Sequence, residues 1–239
     1  MRKLLNGILV TLGFFLATLP AAQADPLRVT VLGDSLVQGY GLPQGDGLVP
    51  QLEAWLSGQG ADVALLNAGV SGDTTAGGAS RIDWTLADQP DGLVVLLGGN
   101  DLLRGVPPSE TRANLTRIVA TARSAGAEVL LVGMEAPMNY GAEFKAEFDQ
   151  IYPDLAAAQG VTLHSSAFAG ILQATGGDPS GFADYMQADG IHPNRQGVAL
   201  NVAAMGPKVL EFLAKITAEK NAEKNADVTG AEAGEGTGN

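Results

Sequence analysis

The chain has 239 residues, with 14 Lys+Arg against 26 Asp+Glu, two histidines and no cysteine. At roughly 150 residues per domain this is one ordinary domain or at most two small ones, and 46% hydrophobic with 17% charged residues is a globular composition. A net charge of −12 argues against nucleic acid and anionic membrane surfaces as partners, and the missing cysteine excludes disulfides, thiol nucleophiles and thiolate-built metal sites.

The first segment reads as an export leader. Arg2 and Lys3 give a positive start, residues 8–19 (ILVTLGFFLATL) are apolar, Pro20 ends the run, and Ala22-Gln23-Ala24 places small residues where a signal peptidase cuts. The run is shorter than the roughly 20 apolar residues a membrane span needs. Residues 1–24 are therefore expected to be removed after Ala24, leaving no membrane anchor and a periplasmic or secreted protein. Absent cysteines are compatible with that compartment, where disulfides are permitted but not required.

From there β-type and α-type patterns alternate. Residues 27–33 (LRVTVLG), 63–69 (VALLNAG), 92–98 (GLVVLLG) and 127–133 (AEVLLVG) are short apolar runs ending in glycine, the pattern of strands buried on both faces of a parallel sheet. A weaker fifth strand is expected at 161–163. Helices are expected over 48–56, 75–86, 109–124, 143–158 and 196–216; in the third, Leu115, Ile118, Val119 and Ala122 form the stripe of a helix lying on a sheet. Strand–helix alternation argues for an α/β, open, doubly wound sheet. The domain is taken as 25–217, and 218–239, with its tandem AEKN repeat and only Val228 as a large apolar residue, as a solvated tail. The first AEKN unit can prolong the last helix, while Gly230 onward is expected to lack structure.

In such sheets chemistry sits at the carboxyl ends of the strands. Gly33-Asp34-Ser35-Leu36 follows the first strand, Asn67 through Asp73 (NAGVSGD) ends and follows the second, Gly98-Gly99-Asn100-Asp101 follows the third, and Asp189-Gly190-Ile191-His192-Pro193-Asn194 precedes the last helix. Each alone has a bland explanation as a helix cap or a turn. Together they supply a nucleophilic site. Ser35 is a weak nucleophile until a base takes its proton, His192 is the only plausible base at this edge, and Asp189 can hold its tautomer. The backbone N–H groups of Ser35 and Gly72 and the amide of Asn100 can receive an oxyanion, a function whose single donors are each worth about 10²–10³ in rate.

These four ordered blocks resemble the SGNH (GDSL-type) esterase/lipase family, and with 67–74 (NAGVSGDT), Asn139-Tyr140-Gly141 and DGIHPN most nearly its bacterial thioesterase and arylesterase branch. The resemblance covers residues 27–216. It implies a flavodoxin-like three-layer αβα sandwich with a five-stranded parallel sheet. It also implies hydrolysis of a small-molecule acyl ester, aryl ester or thioester through an acyl-serine, with no metal or organic cofactor. By position, Ser35 is nucleophile and oxyanion donor, Gly72 and Asn100 are the other donors, Asp189 orients, and His192 is general base and acid. The Gly-Asp-Ser-Leu block differs from the Gly-x-Ser-x-Gly elbow of the α/β-hydrolases.

Other residues carry less chemistry. Asp34, Asp73 and Asp101 each follow a strand and could hold a divalent cation for a phosphoesterase, but hydrogen bonding to loop N–H groups is their expected role. His164 is expected in packing or at the surface. Met138 and Tyr140, after the fourth strand, are expected to wall an acyl pocket, with Met134, Phe182 and Met186 as further candidates. A carbohydrate O-acetylesterase and a non-catalytic binding module on the same fold are the alternatives to an acyl or aryl esterase. Nothing in the sequence demands more than a monomer.

Overall fold

The computed structural model describes residues 25–235, so the expected leader, 1–24, and the last four residues lie outside the described residues. In chain order the elements are β1 (Leu27–Gly33), α1 (Ser35–Gln38), α2 (Leu48–Gly58), β2 (Val63–Gly69), α3 (Thr75–Ser80), α4 (Ile82–Thr85), β3 (Gly92–Leu96), α5 (Gly99–Arg104), α6 (Pro108–Ser124), β4 (Glu128–Val132), α7 (Ala142–Asp149), α8 (Ile151–Gln159), β5 (Thr162–His164), α9 (Ala169–Thr175), α10 (Pro179–Phe182) and α11 (Arg195–Glu235). The five strands form one all-parallel sheet in the order β2-β1-β3-β4-β5. That is the flavodoxin-like order. The chain winds outward one way from β1 to β2 and the other way from β3, so the crevice between the carboxyl ends of β1 and β3 is the switch point where open α/β sheets bind ligands.

The layers follow from the apolar stripes. In α11, Val198, Val202, Met205, Val209, Phe212 and Ile216 recur at three- and four-residue spacing and are all buried. This helix packs with α2 and α9, while α3, α6 and α8 pack together. α11 is long and apolar enough to cross a membrane by composition, yet half of its most apolar window is buried in the protein. β3 is buried at every position. β2 is not: it is an edge strand with no fully buried position, and Leu66 is half exposed, where the sequence pattern had suggested cover on both faces.

Several boundaries differ from the sequence reading for identifiable reasons. β3 stops at Leu96, two residues early, as Gly98 turns to φ +121° and the Leu97 carbonyl accepts the Tyr152 hydroxyl at 2.7 Å. The 75–86 helix is two short ones broken at Arg81, whose side chain is drawn back to Asp73 and to the Gly33 carbonyl. The 143–158 helix divides between Asp149 and Ile151 because Pro153 has no N–H for the Asp149 carbonyl and its ring would strike it. At the far end, α11 continues through the AEKN repeats to Glu235, past the Gly230 boundary of the expected tail. Alanine, glutamate and lysine are strong helix formers. Packing nevertheless ends at Ile216, and residues 218–226 are exposed.

Candidate active site

β1 delivers its carboxyl end directly into the site. Asp34 caps α1, accepting the Leu36 N–H at 3.0 Å, and this fixes the sharp strand-to-helix corner that carries Ser35. Asp34 is almost wholly buried, and burial pushes its carboxyl up from the usual range against the opposing hydrogen bonds from Leu36 and Asn100. The second of these runs from Asn100 Nδ2 to Asp34 Oδ2 at 3.2 Å and ties the loop after β3 to the loop after β1 across the switch point. Asn100 thus spends one amide hydrogen on its own orientation.

From the opposite end of the sequence comes His192. Its Nε2 lies 2.8 Å from Ser35 Oγ and its Nδ1 lies 2.7 Å from Asp189 Oδ2. Asp189 Oδ1 also accepts the N–H groups of Ile191 at 2.9 Å and His192 at 3.0 Å. Three donors converge on this carboxylate, and the bond from the His192 side chain, the strongest influence, with the backbone bonds after it, holds the Asp189 pKa down at about 2. An ionised carboxylate can only accept, so Nδ1 carries the imidazole proton. Nε2 is then left bare to accept the Ser35 hydroxyl. Tyr40 lies against the imidazole, with ring centroids 4.7 Å apart.

Gly72 sits in the turn after β2. Asp73 N–H donates to the Val70 carbonyl at 3.0 Å, and Gly72, at the third position of this turn, has φ +82°, a value that a type II turn requires there and that favours glycine. The Gly72 carbonyl accepts Arg104 Nη2 at 2.8 Å, and Ser71 Oγ donates to Gln38 Oε1 of α1 at 2.6 Å. The N–H groups of Gly72 and Ser35 take no partner among the described residues. Gly72 is not one of the residues lining the cleft at Ser35, whereas Ser35, Asn100 and His192 are.

That cleft has a volume of about 380 Å³ and opens beside Ser35. Its apolar wall includes Leu103, Met134, Tyr140, Phe168, Phe182 and Met186. Of the two residues expected to wall an acyl pocket, Tyr140 lines this cleft and Met138 does not: Met138 is 62% exposed and outside the lining. The two begin and end a single 3₁₀ turn, where successive side chains point about 120° apart, so the face that presents Asn139 and Tyr140 turns Met138 to solvent.

The three carboxylates after the strands do separate jobs. Asp73 pairs with Arg81 Nε at 2.7 Å. Asp101 is fully buried and accepts the Thr75 N–H at 2.8 Å, the Thr75 hydroxyl, and the Thr111 hydroxyl at 3.1 Å. Asp34 serves Leu36 and Asn100. His164 is buried in β5 with Nε2 unpartnered, and burial lowers its pKa. Sequence reasoning did not single out Arg81, Arg104, Tyr40 or Gln187, all of which brace the loops. Their partners are mostly backbone carbonyls, which leave no residue-type signal in a sequence.

Against known proteins, residues 31–200 match the model of the GDSL-like Lipase/Acylhydrolase family. The chain belongs to that family. It is 33% identical over 209 residues to the arylesterase of Vibrio mimicus, covering 87% of this chain and 96% of that protein. It is 37% identical over 182 residues to thioesterase 1/protease 1/lysophospholipase L1 of Escherichia coli K12, covering 75% and 81%. The crystal structure of TesA superposes with a TM-score of 0.67 at 36% identity, covering 76% of this chain and 97% of that one. This GDSL-like hydrolase is accordingly an ester hydrolase on an SGNH-type α/β fold, as the ordered sequence blocks implied.

Proposed function

We propose that the enzyme hydrolyses short-to-medium acyl esters, aryl esters or thioesters through an acyl-serine formed on Ser35. The observation that carries this reading is the hydrogen-bonded chain from Ser35 Oγ through His192 to Asp189 at the mouth of an apolar cleft. In the first half-reaction Ser35 Oγ adds to the ester or thioester carbonyl carbon while its proton passes to His192 Nε2. The carbonyl oxygen becomes an oxyanion, received by the N–H groups of Ser35 and Gly72 and the remaining Asn100 amide hydrogen. Collapse breaks the bond to the leaving alcohol or thiol, which departs with the proton from His192. Water, deprotonated by the same nitrogen, then releases the acid and restores Ser35. Asp189 stays ionised throughout and stabilises the imidazolium.

The apolar wall favours acyl or aryl groups over a carbohydrate O-acetyl substrate, and the cleft volume lies in the range of small-molecule sites. Residues 1–24 support export to the periplasm or medium. Labelling with a fluorophosphonate tests the nucleophile: wild type should react and Ser35→Ala should not, and equal labelling of the two would remove Ser35 from its role. A panel of p-nitrophenyl esters from acetyl to palmitoyl, with an acyl-CoA and a lysophospholipid alongside, then ranks the substrates.

A further inference from the structure

We propose that Gln187 is a positioning residue that sets the distance between the nucleophile and its base, acting through His192. The inference rests on the roles given above to Ser35 and His192. Asp189 cannot perform this task. It sits three residues from His192 on the same loop, so it can orient the imidazole within the loop but cannot place the loop against α1. The bonds of Asn194, from Nδ2 to the Asp184 and Met186 carbonyls and from N–H to the Tyr185 carbonyl, are equally local.

Gln187 makes the crossing. Its Nε2 donates to the Tyr40 carbonyl at 2.9 Å and to the Pro193 carbonyl at 3.0 Å, and its backbone N–H donates to the His192 carbonyl at 2.7 Å. On the other side, the Tyr40 N–H donates to the Ser35 carbonyl at 3.1 Å. The contacts therefore close a ring: Ser35 to Tyr40 through backbone, Tyr40 to Gln187 through the side-chain amide, Gln187 to His192 through backbone, and His192 back to Ser35 Oγ at 2.8 Å. Every member but the last is independent of catalysis, so the three together impose the fourth. Among the described residues, the Gln187–Tyr40 and His192–Ser35 bonds are the hydrogen bonds that join 184–194 to 35–42.

The chemistry of the site selects an amide at this position. Both partners of Nε2 are carbonyl oxygens, which need two donors on one atom, and an NH₂ group has two. The Oε1 end lies against Gly41, where a Cβ would come within 2.1 Å of it at φ +73°. Any side chain on residue 41 would therefore evict the amide from its place. Displacing a reacting group by about 1 Å can cost on the order of 10²-fold in rate with little effect on substrate affinity.

The test uses Gln187→Met, which keeps length and loses both donors, and Gln187→Glu, which sets an acceptor against two acceptors. With a p-nitrophenyl ester, kcat should fall about 10- to 100-fold while KM stays within about twofold. The rate of fluorophosphonate labelling should fall by the same factor as kcat, and circular dichroism should show the wild-type fold. Should Gln187→Met fail to fold, Gly41→Ala displaces the amide with Gln187 intact and should give the same split. Wild-type kcat in the folded variants, or a rise in KM alone, overturns the proposal. Activity surviving in Ser35→Ala would instead overturn the assignment of the nucleophile, so the two failures are distinguishable.

Discussion

Asp189→Asn exchanges one oxygen for an NH₂ group and tests the tautomer argument directly. In the wild type Oδ1 holds the Ile191 and His192 N–H groups at 2.9 and 3.0 Å, and Oδ2 holds His192 Nδ1 at 2.7 Å. An asparagine that keeps its oxygen on the two backbone donors preserves the loop and must turn its NH₂ toward Nδ1. A donor there forces Nδ1 to accept, which moves the imidazole proton to Nε2, 2.8 Å from Ser35 Oγ. The base is then lost although every atom remains in place. In a buried triad the same exchange costs about 10⁴ in kcat. Here the Asp189 side chain is 35% exposed, so water can satisfy a minority of the correct tautomer, and a loss of about 10³–10⁴ is expected. The assay is p-nitrophenyl ester hydrolysis alongside a thermal melt, with Asp189→Ala, which also loses both loop bonds, for comparison. A folded Asp189→Asn enzyme within about tenfold of wild type would refute the reasoning. The carboxyl is depressed to about 2, so its bonds stabilise the fold above the unfolded value of about 3.9 and are lost only as pH falls through about 2. Its titration should therefore add no inflection to the activity profile above about pH 4.

If the Gly72 N–H is the proposed oxyanion donor, Gly72→Ala should lower kcat about 10²–10³-fold, because a β-carbon at φ +82° costs about 1–2 kcal/mol and the turn relieves it by rotating that peptide. Gly72→Asn, which tolerates this region better, should retain more activity in the same kinetics. Asp101→Ala should destabilise the fold by about 3–5 kcal/mol in urea unfolding, since the Thr75 N–H and the Thr75 and Thr111 hydroxyls lose a buried charged acceptor. His164 is a buried base with its pKa lowered by desolvation, so the unfolded chain binds its proton first and stability falls as pH drops through about 6.5. Urea midpoints compared at about pH 7.5 and 5.5 should show a smaller acid loss in His164→Gln than in wild type.

The strands were legible as short apolar runs ending in glycine, and β1 and β2 appear with the expected limits, although β2 is not covered on both faces as that pattern suggested. The Ser35, Asn100, Asp189 and His192 blocks were legible for a related reason: each is a polar, glycine-containing loop where the alternation predicts a carboxyl strand end or the start of a helix. Short helices were not. α5, α9 and α10 have seven residues or fewer, too few turns for a periodicity to register. The sequence reading ran one helix through 143–158 and passed over Pro153, the signal in it that a helix starts anew there. The orientation of Met138 depends on one 3₁₀ turn whose phase no spacing rule supplies. The braces were illegible for a deeper reason. Arg81 on the Gly33 carbonyl, Arg104 on the Gly72 carbonyl and Gln187 on the Tyr40 carbonyl all recognise backbone, and any sequence presents carbonyls everywhere.

The carboxylates after the strands favour the acyl-transfer reading over a carboxylate-held cation. A divalent ion needs several oxygens aimed at one point with free lone pairs. Asp101 faces inward to two threonines, Asp73 faces Arg81, and Asp34 is committed to a helix cap and an amide. Each carboxylate holds in place a different part of the proposed oxyanion and nucleophile loops. Asp34 fixes the corner bearing Ser35 and the amide of Asn100. Asp73, through Arg81, ties the Gly72 turn to the end of β1. Asp101 anchors the segment just past that turn to α6. Carboxylates at three strand ends therefore support the proposed set of neutral donors, which is what acyl transfer from a serine requires and what a cation site would have to dismantle.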